Sequence, residues 1–133
     1  ILRHTLQDHV DHSPRATALI QRIESGGQIV RTVDAVIFET VFTLERTYKV
    51  PRQTISSGLL KLLSLRGVQL RGKTRYRRTF ELYCTYPKLS FADCFYVAVM
   101  ERWGLTDLIS FDQDFDRIGT ITRIEPSQRG ELI

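Results

Sequence analysis

Apolar residues recur along this chain in two rhythms, one suited to helices and one to short strands. Ala16, Leu19, Ile20 and Ile23 fall at helical spacing behind Ser13-Pro14. That pair suits a helix start, because serine can cap free amides and proline fits the first helical position. Gly26-Gly27 ends the element, and Gln28 to Thr32 reads as a short strand. A second helix is expected from near Asp34 to about Tyr48, with Ile37, Val41, Leu44 and Tyr48 on one face. A third begins at Pro51, carries Ile55, Leu59, Leu62 and Leu63, and stops at Gly67. Val68 to Leu70 forms a brief strand candidate. A basic amphipathic helix follows from about Lys73 to Tyr86, closed by Pro87. Ser90 opens a helix running through Phe91, Phe95, Val99 and Met100 to Gly104. Leu108 to Phe111 then reads as a buried strand, and Ile121 to Ile124 as another. Helices alternating with short apolar strands specify an α/β sandwich with a mostly parallel sheet, here in one domain over residues 1–133.

Three acidic positions disturb this pattern. From Ala35 to Leu44 the second helix is apolar nearly all round, so it is expected to be buried on most sides, with Glu39 its only charge. An unpaired buried carboxylate costs several kcal/mol or takes up a proton, so something should compensate it. Asp93 is the sole charge at the start of another all-round apolar stretch, Leu89 to Met100. There Ser90-x-x-Asp93 also matches a capping box, and an acid in a first turn suits the helix dipole. The third position lies in Ser110-Phe-Asp-Gln-Asp-Phe-Asp116. Asp112 follows a strand at its carboxyl end, where open α/β sheets bind ligands, yet an Asp-rich turn leading into a short helix explains the same residues. As a set, the three acids fit a hard divalent cation with oxygen ligands, Mg²⁺ or Mn²⁺, which can polarise a phosphoryl oxygen and activate water.

The order DAVIFETVFTLER, LSFADCFYVAVM, LISFDQDFDRI and RIEP resembles a PIN-domain ribonuclease of the VapC toxin type over essentially the whole chain. The resemblance implies a flavodoxin-like three-layer sandwich and a Mg²⁺- or Mn²⁺-dependent endoribonuclease site. It assigns catalytic and metal-binding roles to Glu39, Asp93 and Asp112, with Asp114, Asp116 and Ser110 as auxiliaries. It also implies an RNA substrate, a cognate antitoxin, a homodimer and a cytoplasmic setting. Members of the family begin with a strand ending in an Asp-x-Asn motif. Here Ile1-Leu2-Arg3 aligns just after that motif, so the chain is expected to be N-terminally incomplete, lacking the first strand and its aspartate. Asp8 and Asp11 fall in a polar loop and do not replace it. Two alternatives stand beside the nuclease: a non-catalytic PIN-like module binding RNA or protein, and a receiver-like phosphoacceptor domain. The second lacks the paired acids and the late lysine such domains use.

Composition adds little by itself. The 133 residues are 42% apolar with a net charge of +4, ordinary for a globular domain. No apolar run approaches the length of a membrane span, and no signal-peptide pattern is present. Cys84 and Cys94 lack metal-ligand spacing and read as reduced core thiols. His4, His9 and His12 follow no ligand spacing and read as solvated. The charge distribution says more. Arg66, Arg71, Lys73, Arg75, Arg77 and Arg78 come without an intervening acid, either as a solvated helix face or as a guide for an RNA backbone, with Lys73, Arg75, Arg77 and Arg78 the candidate contacts. Tyr76 offers a stacking surface for a single-stranded base.

Overall fold

A computed structural model describes residues 1–6 and 10–132, which fold as two units, Ile1–Thr74 and Arg75–Ile133. Asp8 and His9 lie outside the described residues. The first unit runs α1 (Leu2–Leu6), α2 (His12–Glu24), β1 (Val30–Arg31), α3 (Asp34–Arg46), α4 (Arg52–Leu63) and β2 (Val68–Gln69). The second runs α5 (Arg75–Thr85), α6 (Phe91–Arg102), β3 (Asp107–Ile109), a 3₁₀ turn (Gln113–Arg117) and β4 (Thr122–Ile124).

Each unit holds one parallel strand pair. β1 pairs with β2 in the register Val30 to Val68, and β3 pairs with β4 in the register Leu108 to Arg123. Parallel pairs, β1 and β2 joined through α3 and α4 and β3 and β4 through the 3₁₀ turn, together with the helices confirm the α/β class. The hydrogen-bonded strands form two pairs among the described residues, rather than the single sheet the pattern suggested. The strands are also shorter than expected. β3 stops at Ile109, and Ile109 and Phe111 are 57% and 71% exposed. The expected burial of this strand is therefore wrong: among the described residues β3 pairs with β4 alone and leaves alternate side chains in solvent.

In the first unit, Ile23, Ile37, Val41, Leu44, Ile55, Leu59 and Leu63 are buried. The α2 helix starts two residues earlier than expected, at His12 rather than Pro14. Asp11 occupies the cap position without a side-chain cap bond, and Ser13 lies buried inside the first turn. Leu19, expected on the buried face, is exposed. Gly67 is required by contact. A methyl group there would stand 2.4 Å from the Gln28 carbonyl oxygen and 2.7 Å from Ile23 Cγ2, while Gly67 itself accepts from the Val30 N–H that starts β1. Gly67→Ala is expected to lower stability by about 2 kcal/mol or more, read by urea denaturation. A change below about 0.5 kcal/mol would show that the β1 to β2 junction yields easily.

The second unit centres on an aromatic cluster. Tyr76 and Phe80 on α5 and Phe91 on α6 are buried, with Tyr76 and Phe91 nearly parallel at 6.3 Å and Phe80 and Phe91 at 5.0 Å. Tyr83 meets the edge of Phe91 at 5.4 Å. Each such ring contributes about 2–3 kcal/mol on burial. Tyr76 is fully buried, so its suggested role as a base-stacking surface is wrong. Its spacing to Phe80 and Tyr83, four and seven residues on, is that of a core stripe. Cys94 is buried in this unit and Cys84 half-buried, both as reduced thiols. Trp103, at the end of α6, is 72% exposed. No helix among the described residues is long and apolar enough to cross a membrane.

Arg78 ties α5 to α6 through two bonds to Glu101, at 2.8 and 3.0 Å, and Glu101 also accepts from the Thr120 hydroxyl at 2.6 Å. The Arg78 hydrogen bond holds the Glu101 carboxyl below the usual carboxylate range, partial burial opposes this, and the Thr120 bond adds to it. A carboxylate with a depressed folded pKa contributes stability above its unfolded value, here 4.5, and loses it as pH falls through the folded value. Glu101→Gln is therefore expected to cost about 1 kcal/mol at neutral pH, because Arg78 is partly exposed. The difference from the unsubstituted chain should shrink in thermal melts below that range. A pH-independent difference would show that Glu101 acts through packing alone.

Candidate active site

The acidic loop after β3 is built by local bonds. The Asp112 N–H donates to Ser110 Oγ at 3.0 Å, and the Asp114 N–H donates to Asp112 Oδ1 at 2.9 Å, which caps the 3₁₀ turn. Phe115 folds inward and is 5% exposed, anchoring the far side of the turn. Asp112 is exposed and Asp114 half-buried. Asp112 thus leaves the carboxyl end of a parallel strand, as the sequence suggested, and Ser110 supports it directly.

Asp116 has a different task. It forms an ion pair with Arg123 on β4 at 2.8 Å. Arg123 also binds Glu125 and the Ser110 carbonyl oxygen, the latter at 3.0 Å. These bonds, led by that to Asp116, push the Arg123 guanidinium pKa further up and keep the group charged. Arg123 lies in the RIEP segment, to which the motifs attach no role. The signal was present: in a strand, Arg123 and Glu125 face the same side, next to a loop rich in acids.

Asp93 occupies the first turn of α6 in a complete capping box. Its N–H donates to Ser90 Oγ at 3.1 Å, and its Oδ2 accepts from the Ser90 N–H at 3.3 Å. A carboxylate offers about four acceptor sites, so this bond leaves capacity for other partners. Both readings of Asp93 survive the geometry.

Glu39 departs from expectation. It lies on α3 but is exposed, beside Val36 and Phe42, which are 40% and 64% exposed. The helix buries one stripe, Ile37, Thr40, Val41 and Leu44, half-buries Phe38, and leaves Ala35, Val36 and Phe42 in solvent. A helix apolar all round need not be covered all round, and no desolvation penalty calls for a partner at Glu39.

Most basic candidates are engaged within the chain. Lys73 Nζ donates to the Val68 carbonyl at 2.9 Å, securing the turn after β2. Arg75 lies 4.9 Å over the Phe95 ring, a cation–π contact, and Arg78 pairs with Glu101 and with Glu81. Arg77 is exposed. His4 Nδ1 lies 3.0 Å from Thr17 Oγ1, joining α1 to α2, and His12 is exposed at the start of α2.

Hard oxygen donors of this kind suit Mg²⁺ or Mn²⁺. Among the described residues, no group of three or more His, Cys, Asp or Glu side chains is gathered as a ligand set. Mg²⁺ is commonly held by one or two carboxylates with waters and substrate phosphate completing its shell, so a preformed cage is not a requirement.

Parallel strand pairs, helices and an acidic loop at a strand's carboxyl end place the chain in the α/β class. The sequence profile of the PIN domain family matches residues 4–121, through both units, and the chain belongs to that family. PIN domains are typically nucleases, generally using divalent metal ions. A comparison with curated proteins found no match.

Proposed function

We propose that this chain is a divalent-metal-dependent endoribonuclease, with Glu39, Asp93 and Asp112 as the carboxylates on which cleavage depends. The observation that carries the proposal is Asp112: an exposed carboxylate at the carboxyl end of a parallel strand, braced by Ser110, in a chain of the PIN family. Mg²⁺ or Mn²⁺, when bound, supplies Lewis acidity toward a phosphoryl oxygen and lowers the pKa of a coordinated water. The carboxylates hold and orient that ion and the attacking water. Asp114 adds negative charge beside Asp112, while Asp116 belongs to the loop's internal bracing. Arg77, with Arg75 and Lys73 close to it in sequence, supplies positive charge for the RNA backbone. The VapC-like motifs support a toxin role, a homodimer and a cognate antitoxin that masks the carboxylates.

Cleavage of a labelled single-stranded RNA by the purified chain tests the reading. Activity is expected with Mn²⁺ and is expected to vanish in EDTA, and Asp112→Asn should lower it about a hundredfold. Undiminished cleavage in EDTA would remove the metal from the mechanism. One observation favours a second reading, a non-catalytic PIN-like binding module: Asp93 already serves as half of a complete capping box. Calorimetric titration with Mn²⁺ separates the two, since the nuclease requires binding that Asp112→Asn weakens, whereas the module requires none.

A further inference from the structure

Arg123 stands opposite Leu108 in the β3–β4 pair, and its side chain is only 12% exposed. From there it reaches both ends of the Ser110–Asp116 loop. Nη1 donates to the Ser110 carbonyl oxygen at 3.0 Å, where the chain leaves β3. Nε and Nη2 donate to the two carboxylate oxygens of Asp116 at 2.8 and 3.3 Å, where the 3₁₀ turn nears its end. Glu125, two residues on along β4, takes a further bond from Nη1 and steadies the guanidinium from its own strand.

The loop's other bonds are short-range. Ser110 Oγ holds the Asp112 amide, Asp112 holds the Asp114 amide, and Phe115 is fixed in the core. Each of these fixes one part of the loop. Arg123 spans it from end to end with a single planar group. A guanidinium presents five donors in a rigid fork, which suits simultaneous capture of a carbonyl and a bidentate carboxylate. A lysine ammonium is a point charge and cannot reproduce that geometry. The fixed positive charge also offsets repulsion among Asp112, Asp114 and Asp116.

We propose that Arg123 is a positioning residue, which clamps the two ends of the Ser110–Asp116 loop and so sets the direction of the Asp112 carboxylate. Its consequence for catalysis rests on the nuclease reading above, whereas the clamp itself can be measured without it. Two variants of the full chain separate the contributions: Arg123→Lys keeps the charge and loses the fork, and Asp116→Asn keeps Arg123 and weakens its bidentate partner.

Hydrogen exchange of the Asp112 and Asp114 amides, followed by NMR, reads the clamp. Both variants should speed that exchange about tenfold, while amides of the α5 core exchange as before. Mn²⁺-supported RNA cleavage reads the consequence: kcat should fall about tenfold or more with KM nearly constant, the mark of a displaced reacting group rather than lost binding. Loop amides as protected as in the unsubstituted chain, in both variants, would overturn the clamp. Faster exchange with unchanged kcat would overturn positioning. If the unsubstituted chain cleaves no RNA, the nuclease reading falls, and the amide exchange still decides the clamp. Should Arg123→Lys fail to fold, Asp116→Asn carries both measurements.

Discussion

Asp93→Asn is expected to lower Mn²⁺-supported RNA cleavage by about a hundredfold or more while the chain stays folded. The prediction matters because Asp93 has two tasks available to it. Its Oδ2 accepts the Ser90 amide as half of a capping box, which would fully account for an acid at this position. Ser90→Ala separates the tasks. It removes the reciprocal acceptor for the Asp93 N–H at a cost of about 1 kcal/mol, a fall of several degrees in Tm, and leaves the carboxylate in place. Cleavage by Ser90→Ala should stay within about twofold of the unsubstituted chain, measured well below its melting temperature. Equal loss of cleavage in both variants would reduce Asp93 to a helix cap.

Tyr76→Ala is expected to destabilise the chain by about 3–5 kcal/mol, the largest loss foreseen for a single side chain here. The ring is fully buried and stands within 6.3 Å of Phe80, Phe91 and Phe95, so truncation opens a cavity between α5 and α6. Its neighbour Arg77 is exposed, and Arg77→Ala should change stability by less than about 0.5 kcal/mol. Chemical denaturation of the two variants checks the contrast. Similar small effects would mean that the cluster repacks around the gap.

These two residues show where the sequence is legible. The helices at Asp34–Arg46, Arg52–Leu63 and Phe91–Arg102 follow from apolar periodicity, and Ser90-x-x-Asp93 gives away its cap by spacing alone. Tyr76 misleads because it sits among arginines, and composition hides its place in the stripe that continues through Phe80 and Tyr83. Glu39 misleads in the opposite direction. Periodicity says which residues prefer burial, and it does not say how many faces of α3 find a neighbour. Arg123 and Asp116 pair across seven positions of chain, through a strand register that no local pattern reports. The loop they join was visible as a run of acids. The division of labour inside it, with Asp112 exposed and Asp116 bound, comes from the fold.

Trp103 is the single tryptophan of the chain, and it stands in solvent at the end of α6. Its indole is already wet in the folded protein, so its fluorescence should change little when the chain unfolds. The packed rings of Tyr76, Phe80, Tyr83 and Phe91 supply the optical signal of native tertiary structure instead, in near-ultraviolet circular dichroism. The same exposure makes Trp103 a native dye for association: a blue shift on mixing with another macromolecule would report contact at α6 without any label.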